Sequence, residues 1–386
     1  MPAPGLAEML NTLIATPSVS CTNPALDMSN RPVLEQLAPW LEDAGFNVEW
    51  MDVETPDEGR KANLIATKGK GDGGLILAGH SDTVPCDPAR WSSDPFTPTE
   101  RDGRLYGLGS ADMKSFLALA IEAARHVKAK DLKAPLIILA TCDEETSMSG
   151  AKALVQAGWP KARHAVIGEP TGLKPVRLHK GILMEGIRVI GQAGHSSDPS
   201  LGNSALEGML KVMNALVALR GELQARYSHP GFDLQQPTMN LGCIHGGDNP
   251  NRICGQCELH IDLRLVPGMS IADCRAQIRK ACEIALRGSR LTLEFDVLFD
   301  GTEPLNTDAN AEIVRLCEQL TGHNAASVSF GTEAPYLTEM GISTVVMGPG
   351  FIDQAHQPDE FLPLDQAAAT VDILRTLIQR CCIEPE

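Results

Sequence analysis

The sequence predicts an α/β protein in which one domain is interrupted by a smaller inserted domain. Residues 1–178 alternate helical patterns with apolar, strand-like runs, which is typical of an open α/β sheet. Residues 179–295 carry strand and helix patterns of their own, and a candidate functional histidine, His356, returns near the end. We therefore expect a discontinuous domain, residues 1–178 and 296–386, around an α+β insert at 179–295.

Composition limits the class of protein. With 386 residues and 43% hydrophobic content, the chain can bury a large core in two domains. A net charge of -16 argues against nucleic acid or an anionic membrane as the main partner. No signal-like N-terminal segment or apolar run of membrane length is visible, so we expect a cytoplasmic protein. The eleven cysteines form no repeating framework, which fits reduced thiols.

Side chains able to bind metal lie where strands of the first domain are predicted to end. In open α/β sheets, ligands bind outside the carboxyl ends of the strands, so side chains distant in sequence converge there. The side chains and the apolar runs that precede them are His80 after 75–79, Glu144 and Glu145 after 136–142, and Glu169 after 165–168.

Two further candidate ligands come from other elements. Asp112 precedes residues 113–127, where apolar residues recur at helical spacing, so it lies at a helix start that favours an anion. His356 follows the apolar run 344–347 and a segment rich in glycine and proline. Both residues extend the candidate site beyond the strand ends.

The combination of these residues favours a metal site. Each acidic residue alone is more simply explained as a helix cap or a solvated loop residue. Two histidines with several carboxylates, and no clustered cysteine ligands, suit zinc in a hydrolytic rather than a structural site. A shared carboxylate would let two ions lie about 3.5 to 4 Å apart. Asp82 is placed either to orient the His80 imidazole or simply to form a turn.

The insert has its own predicted elements. The strands are expected at 182–190, 238–243 and 257–265, and the helices at 205–220 and 271–287. Cys254 and Cys257 fall in a segment, 252–265, that is typical of a single strand, where an offset of three places side chains on opposite faces. We therefore interpret them as structural thiols rather than a metal knuckle or redox pair.

Short motifs around these residues resemble the di-zinc metallopeptidase family, which includes aminoacylases and carboxypeptidases, over nearly the whole chain. The motifs are AGHSDTVP at 78–85, GLGSADMK at 107–114, DEET at 143–146 and GEPT at 168–171. Other segments are similar to members that remove acetate from acetylated amino acids. They are PVRLHKG at 175–181, GHSSDP at 194–199, HGGD at 245–248, NRIC at 251–254 and QAHQPDE at 354–360.

The resemblance implies a role for each candidate ligand. Two Zn²⁺ ions per chain are expected, with Co²⁺ able to substitute. Asp112 would bridge the ions, His80 and Glu169 would complete one site, and Glu145 and His356 would complete the other. Glu144 would then remain as the general base. The fold it implies is a discontinuous di-zinc catalytic domain with an inserted α+β lid/dimerisation domain, and hence a homodimer.

The resemblance also assigns residues to the substrate. His195 would reach the active site of the partner subunit and stabilise the oxyanion, although a lone histidine in such a turn is more often structural. Arg252, preceded by Asn251, would bind the substrate carboxylate, or else form a surface salt bridge. Glu333 is either a substrate contact or a cap between loop and helix.

The activity implied is zinc-dependent removal of acetate from the small molecule N2-acetyl-L-ornithine, giving L-ornithine for arginine biosynthesis. Glu144 would accept a proton from the attacking water and return it to the leaving amine. Other N-acyl amino acid deacylases, acting on acetylcitrulline or succinyl-diaminopimelate, remain open, as does a dipeptidase. A metal-carrying binding protein without turnover is the alternative from a different class, but it would not need Glu144 beside intact ligands.

Overall fold

The computed structural model describes residues 4–54 and 61–385. They divide into two compact units. The first unit comprises Met1–Arg177, Thr307–Ala326 and Glu333–Glu386, and the second unit comprises Leu178–Asn306 and Ser327–Thr332. The α/β class predicted from the sequence is confirmed.

The helices of the described residues fall in both units. They are α1 (Leu6–Ala15), α2 (Arg31–Asp43), α3 (Lys114–Ala124), α4 (Ser149–Ala157), α5 (Ala205–Arg226), α6 (Ile271–Ala285), α7 (Glu312–Thr321), α8 (Ala334–Glu339) and α9 (Leu364–Ile378). A π-helical turn, Gln379–Ile383, continues α9. A helix needs about 20 mostly apolar residues to cross a membrane, and within residues 4–54 and 61–385 no helix meets that requirement.

The strands are numbered in chain order. They are β1 (Asn47–Val53), β2 (Lys61–Lys68), β3 (Leu75–His80), β4 (Thr99–Arg101), β5 (Arg104–Tyr106), β6 (Leu136–Thr141), β7 (His164–Pro170), β8 (Val176–His179), β9 (Gly181–Ile190), β10 (Gly194–His195), β11 (Thr238–Gly246), β12 (Arg252–Ile253), β13 (Gln256–Leu265), β14 (Thr292–Thr302), β15 (Leu305–Asn306), β16 (Ala326–Val328), β17 (Ser343–Gly348) and β18 (Phe361–Pro363).

The first unit is built on a sheet with strand order β1-β2-β6-β3-β7-β17. Its four central strands, β6, β3, β7 and β17, run parallel to one another. Their residues are almost all buried, as expected for parallel strands covered on both faces. Helix α3 packs on β3 and is flanked by α1 and α9, while α2 packs on β1 and β2. This arrangement directs the carboxyl ends of β3, β6 and β7 to the same edge.

The second unit is a four-stranded antiparallel sheet, in the order β11-β13-β9-β14, that packs on α5 and α6. Buried and partly exposed residues alternate along β13, so one face of the sheet meets the helices and the other faces outward. Its hydrophobic cluster includes Ile187, Met209, Leu259 and Ile278. The unit therefore has a core of its own.

Several elements differ from the sequence-based expectations. The predicted strand at 252–265 is two strands, β12 and β13, interrupted at Cys254 and Gly255. The premise of a single strand was therefore wrong, and Cys254 and Cys257 are both buried in the same hydrophobic cluster. Both are nonetheless free thiols. The second unit extends to Asn306, past the predicted boundary at 295, because β14 pairs with β9 from Thr292 onward.

Candidate active site

The register of the parallel strands brings the candidate ligands together in the first unit. His80, the last residue of β3, lies opposite Thr141, the last residue of β6. The loop after β6 carries Glu144 and Glu145, and Glu169 lies near the end of β7 on the other side of β3. Three neighbouring strands thus deliver a histidine and three carboxylates to one edge of the sheet, as the sequence predicted.

Asp112 lies between two groups of donors. Its Oδ1 is 3.0 Å from Nε2 of His80, which in turn is 4.0 Å from Oε1 of Glu169. Its other oxygen, Oδ2, is 3.4 Å from Nε2 of His356, which is 3.1 Å from the Glu145 carboxylate. The two oxygens of one carboxylate therefore face two different sets of donors. This is the geometry expected of a bridging ligand.

Potential ligand atoms lie within 4.8 Å of one another in two sets, His80 with Glu144 and Glu169, and His80 with Asp112 and Glu145. Glu144 and Glu145 are adjacent in sequence but belong to different sets. The loop after β6 therefore directs two adjacent carboxylates into different groups of potential ligands. His356 lies at the rim, with its side chain 52% exposed.

The electrostatics of the cluster fit a pair of divalent cations. Burial and the neighbouring Glu169 raise the pKa of Glu144 well above its ordinary value. Burial and Asp112 do the same to the pKa of Glu169, whose Oε1 has no hydrogen-bond partner among the described residues. Hydrogen bonds to Asp112 and Glu145 raise the pKa of His356 to about 10. Crowded carboxylates of this kind are stabilised by bound cations, and histidine with carboxylate is a donor set that zinc accepts.

Asp82 contacts both His80 and the loop after β6. Nδ1 of His80 lies 3.0 Å from the main-chain oxygen of Asp82 and 3.7 Å from its carboxylate Oδ1. The other carboxylate oxygen accepts a hydrogen bond of 3.1 Å from the backbone N–H of Glu145. Asp82 is 1% exposed, so it is not a solvated turn residue. It connects the segment after β3 to the loop after β6.

A buried network that the sequence reasoning missed holds the loop after β6. Asp143 has a positive φ of 55° and its Oδ1 accepts a hydrogen bond of 2.7 Å from Nζ of Lys61. Lys61 also pairs with Asp27 at 2.8 Å, and Ser20 donates to Asp143 at 2.8 Å. The only sequence signal was a lysine at the start of a strand whose centre, residues 64–66, is apolar. Its partners come from segments distant along the chain.

His195 and Arg252 lie in the second unit, paired on the short strands β10 and β12. The backbone N–H of Ser197 donates to Nδ1 of His195 at 3.2 Å, and the Ser197 hydroxyl lies 2.8 Å from the same atom. Because Nδ1 accepts, a neutral ring carries its proton on Nε2, which is then a donor. This tautomer suits hydrogen bonding to an oxyanion.

Arg252 is exposed, and its side-chain partner among residues 4–54 and 61–385 is local. Its Nη1 lies 2.5 Å from the carboxylate of Asp248, and 56% of its side chain is accessible. It lines a cavity of about 730 Å³ within the second unit, with Ser196 and Glu207 among the other walls. Asn251 is also exposed, and its main-chain oxygen accepts from Ser196 at 3.0 Å. These residues are available to a ligand.

Glu333 occupies the N-cap position of α8 in the first unit, but its side chain makes no capping hydrogen bond. The residue is 2% exposed, and its Oε1 has no hydrogen-bond partner among the described residues. Burial raises the pKa of its carboxyl group. The capping explanation is therefore not supported, and a buried acceptor remains.

Residues 76–380 match Peptidase family M20/M25/M40, and the chain belongs to this family. Similar curated proteins are the acetylornithine deacetylases of Edwardsiella ictaluri and Vibrio campbellii. The first is 48% identical over 98% of each chain, and the second is 46% identical over 99% of this chain and 100% of the relative. The family predicted from the sequence motifs is confirmed.

Solved structures share the fold. The aminopeptidase PepT from Bacillus cereus has a TM-score of 0.73 at 20% identity and covers 97% of both chains. The metallo-carboxypeptidase Sso-CP2 from Sulfolobus solfataricus has a TM-score of 0.74 at 17% identity, covering 97% of this chain and 99% of that one. YXEP from Bacillus subtilis, described as a dinuclear metal-binding peptidase, has a TM-score of 0.64 at 15% identity with 97% coverage of both chains.

Proposed function

We propose that this protein is a zinc-dependent amidohydrolase that removes acetate from N2-acetyl-L-ornithine, giving L-ornithine for arginine biosynthesis in the cytoplasm. The observation that carries the chemistry is the position of Asp112, whose two oxygens face two sets of donors. Near full-length similarity to acetylornithine deacetylases at 43–48% identity supports the substrate.

Five residues would hold two zinc ions in this proposal. Asp112 would be shared, with His80 and Glu169 on one side and Glu145 and His356 on the other. When bound, such ions lower the pKa of water and polarise a carbonyl oxygen. Cobalt has similar ligand preferences and is expected to substitute.

Glu144 would be the general base. It lies in the set with His80 and Glu169 and is largely buried, so its carboxylate is close to the proposed metal ligands without being one of them. It would accept a proton from the attacking water and deliver it to the amide nitrogen as the C–N bond breaks. Acetate and the free amine leave, and no covalent acyl-enzyme forms.

Residues of the second unit would bind the substrate. Arg252, assisted by Asn251, would pair with the α-carboxylate, since its planar guanidinium can donate two hydrogen bonds to one carboxylate. His195 would donate from Nε2 to the oxygen of the tetrahedral intermediate, which needs donors where charge develops. Glu333 is the candidate acceptor for the substrate's side-chain ammonium group.

We also propose a homodimer formed through the second unit, with His195 acting in the partner's site. Strand β11 is at the edge of its sheet, and Ile244 on it is 46% exposed. Helix α5 exposes Leu206, Leu210 and Val217, whose spacing places them along one side of the helix. An open strand edge beside exposed apolar side chains supports a protein interface here.

A panel of substrates tests the activity. The zinc-loaded protein should show its highest kcat/KM with acetylornithine, above acetylcitrulline, succinyl-diaminopimelate and a dipeptide. A succinyl group brings a second carboxylate that needs another cation, so desuccinylation should be poor.

Glu333→Gln should reduce kcat/KM for acetylornithine more than for acetylcitrulline, which has a neutral ureido end. Preference of the wild type for acetylcitrulline would overturn the substrate and leave the metal mechanism intact.

A further inference from the structure

Glu360 is buried against the loop that carries Asp112. The residue is 1% exposed, and both of its carboxylate oxygens accept backbone hydrogen bonds. Oε2 accepts from the N–H of Gly109 at 3.1 Å, and Oε1 accepts from Ala111 at 2.7 Å and Asp112 at 2.9 Å. Three N–H groups of one short loop therefore converge on a single side chain from 250 residues further along the chain.

The conformation of this loop explains why it needs such a partner. Gly107 and Gly109 have φ angles of 152° and 78°, which curl the backbone so that its N–H groups point inward. A Cβ atom at Gly109 would lie 2.6 Å from Cε of Lys114, so the loop is also tightly enclosed. Buried N–H groups need an acceptor, and the Glu360 carboxylate supplies one for three of them.

The segment from His356 to Glu360 contacts both the backbone and the side chain of Asp112. His356 and Glu360 are four residues apart, and the main-chain oxygen of Glu360 accepts from Gly107 at 3.0 Å. Asp112 is held at its N–H by Glu360, while its side chain lies 3.0 Å from His80 and 3.4 Å from His356. A shift of the Asp112 backbone would change both distances together.

We propose that Glu360 is a positioning residue whose carboxylate fixes the backbone at Asp112, so that both Asp112 oxygens are aligned with the two metal sites. This inference rests on the proposed metal centre. Residues that hydrogen-bond to a metal ligand, without binding the metal themselves, orient that ligand and so affect the metal affinity. The sequence showed the glutamate in the QAHQPDE motif without indicating its partners.

Glu360→Gln removes one of the two acceptor oxygens at nearly constant volume. If the NH₂ group replaces Oε1, the N–H groups of Ala111 and Asp112 lose their acceptor, and if it replaces Oε2, that of Gly109 does, so the loop loses at least one hydrogen bond in either orientation. We expect the affinity for the metal pair to fall at least tenfold. The kcat at a fixed low zinc concentration should fall as well, KM should change little, and added zinc should restore part of the activity. Glu360→Asp keeps the charge and should recover part of the metal affinity.

The experiment measures zinc affinity by competition with a chromophoric chelator, the visible spectrum of the cobalt-loaded protein, and the melting temperature with and without metal. Asp359→Asn is the matched control. That neighbouring carboxylate accepts from the N–H and hydroxyl of Ser92 instead of the Asp112 loop, and Asn tolerates its φ of 60°. It should leave affinity and spectrum unchanged.

Wild-type metal affinity and cobalt spectrum in Glu360→Gln would overturn the proposal. So would a melting temperature that falls equally with and without metal, since that indicates a structural role alone. If Glu360→Gln does not fold, Glu360→Asp takes its place: its shorter side chain should lower the metal affinity by less than Gln would, and an affinity equal to that of the wild type would overturn the proposal. Failure of the wild type to bind metal would instead refute the proposed metal centre, so the two failures are distinguishable.

Discussion

The buried candidate metal ligands of the first unit and the candidate substrate residues of the second unit are held in opposite ways. In the first unit, the side chains of Asp112, Glu145 and Glu169 are 6–8% exposed and contact groups from distant parts of the chain. In the second unit, Arg252 and His195 are exposed, and their partners Asp248 and Ser197 are local. Buried charges need partners within the fold, whereas side chains that await a ligand can remain accessible.

The two regions should therefore respond differently to mutation. Removing one of the buried metal ligands leaves charged neighbours without a partner, so metal binding and chemistry should suffer together. Removing an exposed residue leaves its own unit intact, so the effect should be confined to substrate binding and to the transition state.

Glu144→Gln should have the largest effect. The isosteric amide cannot accept a proton from water, and general acid–base catalysis contributes on the order of 10²–10⁴-fold. We expect kcat to fall by about that factor while the zinc content stays at the wild-type value. Glu145→Ala is the matched control at the adjacent position and should instead weaken one metal site. Both are measured by steady-state kinetics and metal analysis.

The opposite pattern would reverse the two roles. If Glu144→Gln lost metal while Glu145→Ala stayed fully loaded, Glu145 would be the base. Either result is informative about the loop after β6, because adjacent residues there point into different donor sets.

Mixed dimers test whether His195 acts across the proposed interface. His195→Ala and Glu144→Ala homodimers should each be nearly inactive. A mixed dimer contains one site with both intact groups if His195 acts in trans, so co-expression should recover part of the wild-type kcat. No recovery in dimers shown to be mixed would place the action of His195 within its own chain, or make it structural.

The parallel sheet is the part of this molecule that the sequence predicted best. Three apolar runs define buried strands: one ends at His80, one precedes Glu144 and one contains Glu169. Because these strands are parallel, their carboxyl ends lie at the same edge of the sheet. Asp112 and His356 could be assigned to the same site from the motifs that surround them. Local pattern and the rules for open sheets were enough for this part of the site.

Long-range and conformational features could not be predicted in this way. The proposed role of Glu360 depends on N–H groups near residue 110. The position of Lys61 depends on carboxylates from two other segments. The break between β12 and β13 occurs where Cys254 and Gly255 interrupt an otherwise strand-like pattern. Such pairings have no periodic signal, because they connect residues that are adjacent only after folding.

Arg252→Ala should have a smaller effect than the loss of Glu144. Arg252 is exposed here, so a hydrogen-bonded charge pair with the substrate carboxylate is expected to contribute about 1.5–3 kcal/mol. That corresponds to roughly 10- to 150-fold in kcat/KM for every acylated substrate. Arg252→Lys should recover part of it. Arg264→Ala, which removes an arginine paired with Asp262 in the same unit, is the control. Equal losses in both alanine variants would assign Arg252 a structural role.

Removal and return of metal test directly whether hydrolysis depends on a metal pair in the first unit. The protein is treated with a chelator until metal analysis finds none, and acetylornithine hydrolysis is then measured as zinc is added in steps. We predict that activity disappears with the metal and returns as zinc is restored up to two ions per chain, with cobalt also effective. Activity unchanged after verified removal of metal would contradict the account of this site.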